Sequence, residues 1–189
     1  SMTHHIDHPL LAAKITILRD RGTDSARFRR TVRELAQLMV PAVTADFATE
    51  TIPCQTPLES TTGHRLARPI VLAPVLRAGL GMLEGFLSVL PDASVAHVGL
   101  ARDEHTLEPA AYYFRVPPHI GQAEVILVDP MLATGGSAIE AIRQLRQAGA
   151  GSIRLACLLA APEGIAALAA ACPEVPLFTA AIDPQLNAP

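Results

Sequence analysis

Residues 125–145 read VILVDPMLATGGSAIEAIRQL. An apolar run, Val125 to Val128, stops at Asp129; paired glycines follow at 135 and 136, and then a segment with helical spacing. A short strand without polar alternation is buried on both faces, as strands of parallel sheets are. The stretch predicts strand, loop and helix in that order, with Asp129 to Ser137 at the carboxyl end of the strand.

The same rhythm runs through most of the chain. Apolar runs at 70–75, 94–100, 125–128, 154–160 and 177–182 alternate with helical segments near 80–90, 137–148 and 163–171. This predicts an α/β fold, a mostly parallel sheet flanked by helices, with ligands beyond the carboxyl ends of the strands. Upstream, ARFRRTVRELAQLM (26–39) sets Phe28, Val32, Leu35 and Leu38/Met39 at helical spacing with arginines between them. An amphipathic helix is expected there, stopped by Pro41, with a shorter one near 9–19. Residues 49–69 carry Pro, Thr and Gly among polar residues and read as an irregular hairpin.

Composition narrows the function. A chain of 189 residues and 20.0 kDa is expected to be one domain, 1–189, long enough to bury a core. Hydrophobic residues at 50% against 17% charged exclude general disorder, and with no Trp the core must be Ala, Leu, Val and Ile. A net charge of −3 without a basic run argues against work on nucleic acid. Cys54, Cys157 and Cys172 are odd in number and lack Cys-x-x-Cys spacing, which supports neither a disulfide framework nor a zinc site and suits a reducing compartment. No apolar run approaches the roughly 18 residues of a membrane span, and the N-terminus is too polar for a signal peptide. A cytoplasmic location is expected. Ser1 ahead of Met2 reads as a remnant of tag removal, and His4, His5 and His8 beside it as a solvated terminus rather than a metal site.

Thr134-Gly135-Gly136-Ser137 lies where a helix should begin. A helix N-terminus offers unpaired N–H groups and a positive dipole end, which attract phosphate. Glycines allow close backbone approach, and the two hydroxyls can donate further hydrogen bonds. The plainer reading is a glycine turn capped by Ser137. No lysine follows, so this is not the phosphate loop of ATPases. Asp129 favours the phosphate reading: a carboxylate across the loop from a phosphate is useful if it accepts hydrogen bonds from sugar hydroxyls. A 5-phosphorylated ribose fits both ends of the loop.

VDPMLATGGS resembles the phosphoribosyl diphosphate (PRPP) loop of type I phosphoribosyltransferases, and Asp-Pro in place of the usual pair of acids resembles the uracil phosphoribosyltransferase family. PVLRAGLGM (74–82), ARDEHTLEP (101–109), AAPEG (160–164) and FTAAID (178–183) agree with it in order. The glycines of LRAGLGMLEG miss the dinucleotide fingerprint, with Glu84 in the place of its third glycine. By resemblance that loop binds diphosphate through Arg77. The polar excursion RDEHTLEPAAYYFRVPP (102–118) is, by the same resemblance, a mobile loop or hairpin over the site, with Arg102 on the diphosphate; on its own it reads as a solvated hairpin. AAPEG starts a helix, Pro162 at its first position and Glu163 in its first turn.

The resemblance implies transfer of the phosphoribosyl group from PRPP to uracil, giving UMP and diphosphate in pyrimidine salvage. Arg77 and Arg102 would hold diphosphate, Asp129 the ribose hydroxyls, and Pro130, Met131, Leu132, Ala133, Thr134, Gly135, Gly136 and Ser137 complete the PRPP loop. Mg²⁺ would bind mainly through PRPP, with no direct protein ligand. No general acid or base is assigned. A homodimer is expected, and the resemblance admits GTP as a further ligand of some members. In the family a Gly-rich segment of the form YIVPGLGDAGD reads uracil; it is expected beyond Pro189, cut away or left out here, so the uracil-binding residues are unassigned. Pro41-Ala42 stands where the family usually shows Tyr-Glu. Two alternatives remain open: a transferase for another nucleobase, and a PRPP-sensing module without catalysis.

Overall fold

The computed structural model describes residues 2–102 and 109–183, and for 100–102 and 109–114 the backbone alone. In chain order the described residues form β1 (Thr3–His5), α1 (Pro9–Arg19), α2 (Ser25–Val43), β2 (Thr49–Gln55), β3 (Ser60–Leu66), β4 (Ile70–Leu76) and α3 (Leu80–Val89). Then come β5 (Ser94–Val95), β6 (His97–Arg102), β7 (Pro109–Arg115), β8 (Glu124–Val128) and β9 (Met131–Leu132). The remainder is α4 (Gly136–Gln147), β10 (Ser152–Ala160), α5 (Pro162–Ala171) and β11 (Leu177–Ile182).

The main sheet runs β1-β11-β10-β8-β4-β6-β7, with β5 beside β4 and β9 beside β10. Its pairings are parallel except β6 with β7, as the unbroken apolar runs predict. Alternate side chains of each strand enter opposite cores. Ile70, Leu72, Ile126 and Val128 meet α1, α2 and α3 on one face; Val71, Ala73, Val125 and Leu127 meet α4 and α5 on the other. From β4 the chain moves outward through α3 to β6; from β8 it moves the other way through α4 to β10. The strand order reverses between β4 and β8, which is where an open α/β sheet leaves a crevice for ligand.

Two expectations need correcting. Pro41 does not stop α2, which continues to Val43. In the last turn a proline forfeits one hydrogen bond, and burial of Val40 and Val43 keeps that turn in place. The 49–69 hairpin is regular, pairing Thr49 to Gln55 with Leu66 to Ser60 one for one. The N-terminal histidines are exposed, as expected of a solvated terminus, but the segment is ordered: β1 pairs with β11, His4 stacks on Phe178 at 4.6 Å, His5 Nε2 lies 3.2 Å from the Ala180 carbonyl, and His8 caps α1.

Candidate active site

β4 and β8 are paired in register from Ile70 with Glu124 to Pro74 with Val128. The loops that leave their carboxyl ends therefore start side by side. Between them lies a cleft of about 370 Å³, lined on one side by Val75 and Leu76 at the end of β4 and Ala78 beyond it, and on the other by Asp129, Met131–Gly135 and, from the start of α4, Ser137 and Ala138.

Asp129 follows the last apolar residue of β8 and is only 8% exposed. Its carboxylate accepts one long hydrogen bond, from the Met131 amide at 3.4 Å. Burial pushes the carboxyl up to about 6, and the Met131 amide opposes the shift only weakly. A buried carboxylate with one poor partner has acceptor capacity left for a ligand's hydroxyls.

The loop after Asp129 is tied to β10 by its backbone. The Pro130 carbonyl accepts from the Leu158 and Leu159 amides at 3.1 and 3.0 Å, and the Leu132 carbonyl accepts from the Ala161 amide at 2.8 Å. Pro130 thus faces the strand, not the cleft. α4 begins at Gly136, and its cap residue Gly135 takes φ 90°, the left-handed conformation that favours glycine. The cap residue, a glycine, has no side chain to close this helix. Thr134 Oγ1 accepts from the Gly136 amide at 3.4 Å, and Ser137 lies inside the first turn. The plain serine-cap reading therefore fails, and the end of α4 presents backbone N–H groups and a positive dipole end beside a cleft.

Gly135 does need positive φ, but a Cβ there would point at α5, 3.1 Å from Ala167 Cβ, rather than into the cleft. Gly136 is not among the positive-φ glycines.

Arg77 is exposed and sits between the cleft-lining Leu76 and Ala78; the Leu76–Arg77 peptide is cis. Arg102 ends β6, opposite Pro109 of β7. Its side chain and residues 103–108 lie outside the described residues. β6 joins β4 at Val75 with Val98 and Leu76 with Gly99, so this hairpin rises beside the Arg77 loop.

Val75, Leu76, Ala78 and Ala138 reach the cleft without having been picked out as site residues. In PVLRAGLGM the arginine and the glycines are what the sequence marks; its apolar residues become visible as cleft residues only once β4 is known to lie beside β8. A larger cavity, about 610 Å³, lies at the opposite end of β4, among Arg65, Arg68, Ile70, Leu90 and Asp92. It is remote from the carboxyl ends of the strands, and the uncapped helix end and the poorly partnered buried acid both belong to the smaller cleft.

Residues 5–189 match the family model described as Uracil phosphoribosyltransferase. The chain is 48% identical over 188 residues to the uracil phosphoribosyltransferase of Clostridium kluyveri, covering 99% of this chain and 90% of that protein. It is 47% identical over 188 residues to that of Acidovorax ebreus, with the same coverage. Among solved structures, the AQ2163 protein from Aquifex aeolicus superposes with a TM-score of 0.91 at 34% identity, over 98% of this chain and 89% of that one. Adenine phosphoribosyl transferase from Trypanosoma brucei shares the fold, with a TM-score of 0.60 at 14% identity over 97% of this chain and 83% of its own.

Proposed function

The chain belongs to the uracil phosphoribosyltransferase family, and from that premise we propose which residues of the cleft carry its reaction. The enzyme transfers the phosphoribosyl group of PRPP to uracil, giving UMP and diphosphate, a step of pyrimidine salvage. The bond that breaks joins the anomeric carbon to a diphosphate oxygen, and positive charge builds on the ribose as the diphosphate leaves.

Catalysis then rests on holding sugar and leaving group while water is kept away. Ala133 to Ser137 donate backbone and hydroxyl hydrogens to the 5′-phosphate at the end of α4. Asp129 accepts hydrogen bonds from the ribose hydroxyls. Arg77 holds the diphosphate from the β4 side and Arg102 from the β6–β7 hairpin, which closes over the bound substrate. Pro130, Met131 and Leu132 set the course of the loop. The single observation that carries this reading is the uncapped N-terminus of α4 beside the same cleft as the buried carboxylate of Asp129.

Mg²⁺ fits this cleft as a passenger of the substrate. The lining offers one carboxylate, Asp129, and Mg²⁺ usually binds through one or two carboxylates plus substrate phosphates. Bound to PRPP, the ion would neutralise charge on the leaving diphosphate.

The same reading takes 1–189 as one phosphoribosyltransferase domain acting as a homodimer in the cytoplasm. The β2–β3 hairpin supports the dimer: both strands are largely exposed and Leu58 at its tip is 96% exposed. Among the described residues no helix is long and apolar enough to cross a membrane. The test is a screen of nucleobases with PRPP and Mg²⁺ for the wild type and Asp129→Asn. UMP from uracil alone, lost in the variant, is expected. Nucleotide formation that survives in Asp129→Asn would overturn the role given to Asp129.

A further inference from the structure

AAPEG is explained only in part by its helix start, since Pro162 and Glu163 account for the first turn but Gly164 does not. Glycine inside a helix costs about 1 kcal/mol relative to alanine. Gly164 is not among the positive-φ glycines, so backbone freedom gives no reason for it. Close approach does. A Cβ on Gly164 would stand 2.7 Å from the Leu132 carbonyl oxygen, 2.8 Å from that of Ala133 and 2.9 Å from Leu132 Cγ.

The contact continues along the loop. A Cβ on Gly135 would meet Ala167 Cβ at 3.1 Å and the Gly164 carbonyl at 3.4 Å. Ala161, the cap residue of α5, donates its amide to the Leu132 carbonyl at 2.8 Å. The first two turns of α5 are thus the floor on which 132–135 lies, with no room for a methyl group between them.

We propose that Gly164 is a positioning residue for the 5′-phosphate: by lacking a Cβ it lets the Leu132–Ala133 backbone sit low enough to aim the first amides of α4 at the phosphate. The inference rests on the reading that residues 133–137 hold that phosphate. A methyl group at 164 must lift the loop, and small displacements of a positioning group cost binding and rate steeply.

The experiment measures affinity of the whole chain for PRPP, UMP and inorganic diphosphate by calorimetry. PRPP and UMP carry the 5′-phosphate; diphosphate does not. Gly164→Ala is expected to weaken PRPP and UMP by about tenfold or more, roughly 1.4 kcal/mol, and to leave diphosphate unchanged. Gly85→Ala is the control for lost packing, since its Cβ would stand 2.5 Å from Ala36 Cβ in the contact of α3 with α2; it is expected to lower the melting temperature and keep all three affinities. If Gly164→Ala does not fold, Ala161→Pro removes the amide that holds Leu132 and is expected to give the same ligand pattern. Gly135→Val separates the two levels. Unchanged PRPP affinity in Gly135→Val would overturn the loop reading itself; loss there with unchanged affinities in Gly164→Ala, or equal loss for all three ligands, would overturn only the role of Gly164.

Discussion

Gly79, the residue that opens α3, lies against the end of β8: a Cβ on it would stand 2.6 Å from the Val128 carbonyl oxygen and 2.8 Å from the Val75 amide nitrogen. The Arg77 loop and the strand that delivers Asp129 are therefore in direct backbone contact. Gly79 has φ −77°, which alanine adopts freely, so Gly79→Ala would report the contact and not backbone strain. We expect it to destabilise the protein by about 1–3 kcal/mol, the usual range for overpacking, and to reduce kcat/KM for PRPP, because the two loops would part. Urea unfolding beside steady-state kinetics checks both. Lost stability with intact kinetics would mean that the contact serves the core alone.

Asp129 makes the ligand-free protein sensitive to pH. Its carboxyl is at about 6 when folded, against 3.8 ordinarily, so the folded state holds the proton more tightly than the unfolded chain. That contribution is fully present below about pH 4 and is lost as pH rises through 6, a change of about 3 kcal/mol. Asp129→Asn should therefore be more stable than the wild type at pH 8 and nearly equal to it at pH 4. Denaturant titrations at the two pH values decide it; equal stabilities at pH 8 would show that the carboxylate is solvated.

PRPP binding should run against the same proton. If ionised Asp129 accepts the ribose hydroxyls, affinity falls as pH drops through 6, and binding near that pH releases a proton. Calorimetry in buffers of different ionisation enthalpy measures the release. Asp129→Asn should keep only the part that belongs to the phosphates' own titration; an unchanged proton count in that variant would remove Asp129 from ribose binding.

The parts of this fold legible in the sequence are those whose cause is local. β4, β8, β10 and β11 announce themselves because burial on both faces requires unbroken apolar runs. The loop 129–137 is legible because its acid, its glycines and the helix start are contiguous. What was not legible depends on neighbours. β1 and β9 are too short to carry a pattern of their own and exist by pairing with β11 and β10. Val75, Leu76 and Ala78 belong to the cleft only because β4 lies beside β8. Gly164 reads as an ordinary residue of a helix start until Leu132 and Ala133 are seen above it.

Arg154 is a similar case at the far end of β10, where a cation opens an apolar run. It is 7% exposed, donates from Nη1 to the Val43 carbonyl and to Asp46 Oδ1, each at 2.7 Å, and its guanidinium lies 4.4 Å from the Phe47 ring centroid. Arg154→Met would keep the volume and strand the Val43 carbonyl, at a cost of about 2–3 kcal/mol. Asp46 is largely exposed, so Asp46→Ala should cost only about 1 kcal/mol or less. Neither should change PRPP affinity. Equal losses in urea unfolding would assign the stability to the ion pair instead.

Arg77 tests the division of labour within the cleft. It stands exposed on the β4 loop, next to Leu76 and Ala78, whereas the amides of α4 lie on the β8 side. A guanidinium suits two phosphate oxygens at once, and no other group assigned to the diphosphate has its side chain described. Arg77→Ala should therefore weaken PRPP and diphosphate together, by about 1.5–3 kcal/mol for a lost charge-assisted hydrogen bond. UMP, which has the 5′-phosphate and the ribose but no diphosphate, should bind as before. Because Arg77 is exposed, stability should stay within about 0.5 kcal/mol of the wild type, as it does for surface changes. Calorimetric titration of the three ligands, with a melting curve, completes the comparison. Equal weakening of UMP would mean that Arg77 acts on the whole cleft, and unchanged diphosphate affinity would return the leaving group to Arg102 alone.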